Sequence, residues 1–287
     1  METFLEGPLR LGLLLGALVA GLAAEALVPL RQVTQPKLRR AAVNLALAGV
    51  GALALRFLLL PIVLAVSADV TERGWGLLPW LGLTGPAALS VSILAMDYTL
   101  YLWHVANHRW PFLWRFHGVH HADLDMDVTT ASRFHVGELA LSAGYRSAQV
   151  ALLGADPLAL ALFETAVTLA AQFHHANVRL PFRLERRLNL LVVTPRMHGV
   201  HHSIVQDETN SNYATIFSFW DRVHATLRLN VPQRDITIGV PYYRELGQLT
   251  FWRSLAALPL RDPAWRLPDG SVPVRKGASG PLSKAAA

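Results

Sequence analysis

Three apolar stretches fill the first third of the chain, and charge gathers in the short segments between them. Residues 11–30, LGLLLGALVAGLAAEALVPL, supply about the 20 residues that cross a bilayer and contain a single charge, Glu25. Residues 41–67 form a second run with Arg56 inside it. An intramembrane Arg is costly, so it is expected to snorkel or to face a neighbouring helix. Gly74 to Met96 is uncharged and predicts a third span that continues into DYTLYLWHVANH. Farther on the pattern weakens. Residues 139–173 are apolar but interrupted by Arg146, Asp156, Pro157 and Glu164, which predicts a fourth hairpin that either crosses the bilayer or only enters it. The expected fold is an all-α integral membrane protein with three to four transmembrane helices or hairpin arms.

Composition agrees with a membrane protein. Hydrophobic residues make up 52% and charged residues 16%, whereas soluble domains carry about 25% charged residues. The net charge of +6 would suit nucleic acid, but Lys and Arg sit mainly beside the apolar runs, as membrane topology requires. The segment 31–40 carries Arg31, Lys37, Arg39 and Arg40, while the next loop balances Asp69 and Glu72 against Arg73. The first loop is therefore expected in the cytoplasm and the second outside, which returns the third span to the cytoplasm. A cleaved signal peptide is the competing reading of the first run, but Glu2 and Glu6 precede it and Arg10 alone makes a weak basic region. Residues 183–195, with Arg183, Arg186 and Arg187, read as a short amphipathic segment suited to anionic headgroups or as a solvated charge run. The chain has no cysteine, so disulfides and thiolate metal sites are excluded.

The chemistry lies in the histidines. All twelve fall between residues 104 and 224, eight of them in WHVANHRWPFLWRFHGVHHAD (Trp103 to Asp123) and RMHGVHHS (Arg196 to Ser203). His104 and His108 stand four apart, and His117, His120 and His121 repeat the spacing of His198, His201 and His202, so each set projects from one face of a helix. The recurrence of HGVHH predicts two ligand helices meeting at one site. Imidazole is the commonest metal ligand near neutral pH, and eight nitrogens exceed what one zinc ion needs. Asp97, Tyr101, His104 and His108 form one helical stripe, which makes Asp97 a candidate to accept the second N–H of a ligand imidazole. His174 and His175 are adjacent and point about 100° apart on a helix, so one of them is expected to join the cluster. His135 is expected at the surface or behind the ligands, within reach of Glu138, and His224 is expected to be structural.

The ordered set DYTLYLWHVANH, WRFHGVHH, RFHVGE, HHANVRLP, TPRMHGVHHS and NYATIFSFWD resembles the fatty acid hydroxylase and sterol desaturase superfamily of membrane histidine-box oxygenases, from about Asp97 to Thr226. The resemblance implies three regions. Residues 1–96 would be a transmembrane anchor, 97–230 the histidine-box catalytic region forming a cytoplasmic helical cap, and 231–287 a C-terminal extension ending, after Trp252, in a disordered tail. It implies that His104, His108, His117, His120, His121, His198, His201 and His202 ligate two iron ions, with His175, in a His-x-Asn context, as the further ligand. Ala214 and Ala225 stand where that family's closing segment would have glycine.

The implied activity is O₂-dependent hydroxylation or desaturation of a lipid C–H bond, of a sterol, fatty acyl chain or related lipid. Electrons would come from a separate protein donor, because the sequence has neither a flavin fingerprint nor cysteines for an iron–sulfur cluster. The implied location is the inner membrane with the histidines facing the cytoplasm. Two other classes use histidine clusters. A dinuclear zinc membrane hydrolase would need Asp123 or Asp207 as carboxylate, and HExxH is absent. A non-enzymatic membrane metal-binding protein would place histidines inside the spans rather than at their ends.

Overall fold

The computed structural model describes residues 8–260 and 264–275. Helices α1 (Pro8–Leu27) and α2 (Lys37–Ala54) carry the first two apolar runs. The second continues through a π-helical turn at Leu55–Leu59 into α3 (Leu60–Glu72). Pro61 follows that turn and has no N–H to give the preceding carbonyls, and the wider i→i+5 turn absorbs the mismatch. Two helical stretches, Pro8–Leu27 and Lys37–Trp80, are long and apolar enough to cross a membrane. Their surfaces suit lipid: Leu9, Leu11, Leu15, Val19, Phe57, Leu58 and Ile62 are all exposed.

The third run differs from the expectation. It is no single helix from Gly74: a one-turn helix at Leu77–Trp80 precedes α4 (Gly85–Arg109). Gly74, Gly76, Gly82 and Gly85 all have positive φ, which breaks the helix where hydropathy alone sees a continuous apolar run. Gly76 also lies against the backbone of Gly154, where a Cβ would come within 2.3 Å of the Gly154 nitrogen. This contact pins the loop to the next hairpin.

That hairpin is α6 (Val136–Leu153) and α7 (Pro157–His175), following α5 (Pro111–His121). Its polar interruptions build the turn. Gly154 caps α6 in the left-handed region, and the Asp156 side chain accepts from Ala159 N at the start of α7. Arg146 meets Glu164 at 2.6 Å across the two arms. α3 packs along α6, and the buried residues Val63, Val70, Met96, Val150, Leu160 and Phe163 form one core.

Two short helices, α8 (Phe182–Leu188) and α9 (Pro195–His201), lead into an irregular closing segment, and no strand forms among the described residues. The region after Trp252 is better ordered than its composition suggests. Leu258 packs with Leu47, Val119, Val240 and Leu249, and Trp265 joins the same core, because these apolar residues recur among the prolines. The final stretch expected to be disordered, from 276, lies outside the described residues.

Candidate metal centre

Both HGVHH segments are short helices started by proline. Pro111 opens α5 and Pro195 opens α9, each at the first turn, where the missing N–H is not needed. Pro111 also ends α4, so His104 and His108 face α5 across a tight corner. His175 comes from the last turn of α7.

The nine expected histidines converge as two groups. His104, His108, His117, His121 and His201 form one, and His120, His175, His198 and His202 the other, with ligand atoms in each within 4.8 Å of one another. The partition is crossed. Each HGVHH helix gives its first and last histidine, one turn apart, to one group and its middle histidine to the other. The groups abut, with the rings of His121 and His202 stacked at 4.3 Å.

Hydrogen bonds fix several tautomers. His104 Nδ1 donates to the Tyr213 carbonyl at 2.6 Å, His201 Nδ1 to Ser211 O at 2.7 Å, and His175 Nδ1 to Ala171 O at 2.8 Å. A carbonyl only accepts, so each neutral ring keeps its one proton on Nδ1 and presents a bare lone pair at Nε2. Yet His104 Nε2 and His201 Nε2 stand 3.1 Å apart, and His104 Nε2 lies 3.1 Å from His117 Nε2. In the second group His175 Nε2 is 3.1 Å from the Nε2 atoms of both His120 and His198. With nitrogen–metal bonds of about 2.1 Å, adjacent ligands around one ion stand roughly 3 Å apart. Converging lone pairs repel; a cation between them removes the repulsion.

The buried nitrogens give a second sign. Both ring nitrogens of His108 and of His121 are buried with no hydrogen-bond partner, as are Nδ1 of His120, His198 and His202. Each buried unsatisfied polar atom costs about 1–3 kcal/mol, so several in one place imply a missing ligand. Burial, reinforced by neighbouring imidazoles, pushes His120, His121, His198, His201 and His202 well below the ordinary histidine pKa. Neutral imidazoles are the form that binds metal. The donor set therefore fits two nitrogen-bound cations.

The carboxylates fall differently from the expectation. Asp97, expected to hold a ligand imidazole, instead accepts from Ile216 N, Phe217 N and Trp220 Nε1. The acid on a histidine of the two groups is Glu138, whose Oε1 meets His117 Nδ1 at 2.7 Å. Twenty-one residues separate that pair, so no local spacing announces it. His135 neither lies at the surface nor pairs with Glu138; it caps α6, accepting from Gly137 N at Nδ1 and donating from Nε2 to Leu255 O. His174 stays outside both groups, its ring 4.0 Å from that of His198. His224 stands apart, stacked on Tyr98 and Tyr101.

The closing segment positions the first group. Asn212 adopts the left-handed region and its side chain bonds Met197 O, Arg228 O and Arg228 N, which aims the carbonyls of Ser211 and Tyr213 at His201 and His104. Asp221 accepts from Tyr213 N, Ala214 N and Thr226 Oγ1, so with Asp97 two buried carboxylates staple this loop. Ala225 also has positive φ, which gives a physical reason for glycine at that place; Ala214 does not. Asp123 is committed elsewhere. Arg40 grips both its oxygens at 2.6 and 2.9 Å, and Asn44 and Thr130 add bonds. Burial would raise the Asp123 carboxyl, but Arg40 and its hydrogen bonds outweigh burial and hold it below the usual range. This network, extended by Asp127 and Arg133, ties the chain after α5 to α2.

Residues 89–226, the stretch that contains every one of these histidines, match the fatty acid hydroxylase family model. This stretch is a fatty acid hydroxylase domain. Relatives include an ornithine lipid hydroxylase of Rhizobium tropici, 33% identical over 54% of this chain and 46% of that protein, and the cholesterol 25-hydroxylase of Homo sapiens, 30% identical over 50% and 52%. The alkylglycerol monooxygenase of Homo sapiens is 27% identical over 52% of this chain and 32% of its own length. The chain thus spans about half the length of the first two relatives. No solved structure matches it.

Proposed function

We propose that this protein is a membrane-bound, di-iron, O₂-dependent oxidoreductase that hydroxylates or desaturates a lipid C–H bond. The observation that carries this reading is the pair of buried imidazole groups whose Nε2 atoms converge to 3.1 Å, with the lone pairs of His104, His201 and His175 left bare by their Nδ1 hydrogen bonds. Iron held by nitrogen ligands supplies reductive activation of O₂, with two electrons arriving from a separate protein donor. The chain's own residues hold the ligands and exclude water: His121, His201, His202 and Tyr213 are fully buried. Glu138 and the carbonyls of Ser211, Tyr213 and Ala171 fix the ring orientations. The relatives act on an ornithine lipid, cholesterol or alkylglycerol, and a membrane lipid is the common denominator.

We place the protein in the inner membrane with the histidines on the cytoplasmic side, following the basic segment between the first two spans. The helix α8 and the turn after it support a nearby membrane surface because their pattern is inverted: Glu185 and Asn189 are buried while Phe182, Leu184, Leu190 and Leu191 are exposed. The hydrolase alternative loses its carboxylates, since Asp123 is saturated by Arg40 and Asp207 is exposed on the surface.

The test is incubation of iron-loaded protein with a bacterial membrane lipid extract, reductant and O₂, read by mass spectrometry. The expected product carries one added oxygen atom or has lost two hydrogens, and it disappears without O₂. Iron-loaded protein that turns over no lipid in that extract, yet hydrolyses an ester, would overturn the reading.

A further inference from the structure

A cavity of about 250 Å³ is walled by the 31–37 linker, the 124–127 loop and residues 234–244. Its three acids are already engaged. Glu25 accepts from Lys37, Val128 N and Asn177 N; Asp125 from Thr34 and Gln35; Asp127 from Arg40 and Thr129. Two of its arginines have only neutral acceptors. Arg31 is 8% exposed, and its Nη1 donates to the Gln233 amide oxygen while its Nη2 is buried with no partner. Arg244 Nη1 donates to the carbonyls of Ile238 and Val240. Arg234 adds an exposed third cation at the rim, 3.7 Å from Asp235. Asp125 lies near enough to attract both guanidiniums, with Glu25 and Glu185 adding to it at Arg31, but no carboxylate hydrogen-bonds to either one, and a buried guanidinium with a free donor calls for an acceptor, best an anion.

The place suits a lipid. The linker joins two helices apolar enough to cross a membrane, so it sits where both leave the hydrocarbon, and Leu27, Val33 and Leu38 beside it are exposed. The cavity is smaller than the roughly 300 Å³ at which pockets for whole drug-sized ligands begin, so it takes a headgroup and leaves the tails outside. It also touches the ligand helices. Arg31 Nη1 covers Gly199 of the second HGVHH so closely that a Cβ there would lie 2.4 Å away, and Asn177 follows His175 by two residues.

We propose that Arg31 and Arg244 bind an oxyanion, the carboxylate or phosphate of a lipid headgroup. Resting on the lipid-oxidising reading above, this makes the substrate a lipid with an acidic or zwitterionic headgroup rather than a neutral sterol. The test is native mass spectrometry of the full-length, iron-loaded protein after equilibration with phosphatidylglycerol, with uncharged diacylglycerol, or with inorganic phosphate. Wild type should retain phosphatidylglycerol at least tenfold over diacylglycerol, and Arg31→Gln and Arg244→Gln should each lose that preference with iron content unchanged. Competition by millimolar inorganic phosphate would identify a free anion as the occupant of the same site. Equal retention of both lipids, or retention of phosphatidylglycerol by both variants, would overturn the proposal. If Arg31→Gln does not fold, Arg244→Gln and the phosphate competition on wild type decide. Headgroup retention by protein that oxidises no lipid would leave the site standing and remove only the assigned reaction.

Discussion

The two histidine groups are built from the same five-residue motif, yet they are held differently. In the first group His104, His117 and His201 have Nδ1 fixed by Tyr213 O, Glu138 and Ser211 O. In the second only His175 has such a partner, Ala171 O, while Nδ1 of His120, His198 and His202 has none. Identical motif chemistry therefore yields two unequal sites, because orientation comes from what lies behind each ring. The first group is also the one that depends on the closing segment, so its integrity is tied to Asn212, Asp97 and Asp221, none of which touches a histidine Nε2 of the group.

The crossed partition gives the largest predicted effects. His201→Ala, on α9, should empty the first group although its helix mainly serves the second, and His120→Ala on α5 should do the reverse. Each should remove at least one of two metal ions and reduce turnover by 100-fold or more, read by metal analysis beside a lipid assay. Full metal content in both variants would break the comparison.

Arg40→Met should come next, acting on stability. It leaves Asp123 and Asp127 buried without their cation, which costs about 3–5 kcal/mol. Thermal unfolding in detergent should show the loss, and an unchanged midpoint would mean that the network is not formed.

Glu138→Gln sharpens the contrast between the groups. The amide oxygen still accepts from His117 Nδ1, but the negative charge is gone, so metal affinity in the first group should fall about 10- to 100-fold with the second unaffected. Titration with a competing chelator reads this directly.

Acid acts on both groups in the metal-free form. The buried histidines have pKa values lowered in the folded state, so the unfolded chain binds more protons below pH ~6.5. Stability is fully present above that pH and falls as pH drops through it, and bound metal should move the fall to lower pH. The smallest effect is Ala225→Gly, which relieves a left-handed alanine and should stabilise by about 1 kcal/mol.

Much of this site is legible in the sequence because helical spacing is local: eight of the nine candidates follow from i, i+3 and i+4 positions and from the HGVHH repeat, while the choice of His175 over His174 rests on the family resemblance. Their division into five and four is not, since it depends on how α4, α5, α7 and α9 meet. Asp97 shares a helical stripe with His104, but its carboxylate reaches toward the closing segment instead. Glu138 was overlooked as a ligand's partner because only the packing of α6 on α5 brings it to His117. In the fold, hydropathy located the first two apolar runs correctly and misjudged the third, where four glycines in left-handed conformations outweigh the apolar composition. The order after Trp252 was likewise hidden, since Leu258 and Trp265 are scattered among residues that usually mark loops.

The most direct test of the central claim is metal analysis of protein purified from iron-replete cells, wild type beside His201→Ala and His224→Ala. The account predicts two iron ions per chain in wild type and in His224→Ala, whose ring only stacks on Tyr98 and Tyr101, and fewer in His201→Ala. Iron content that is the same in all three proteins, or iron absent from wild type even after reconstitution, would contradict it.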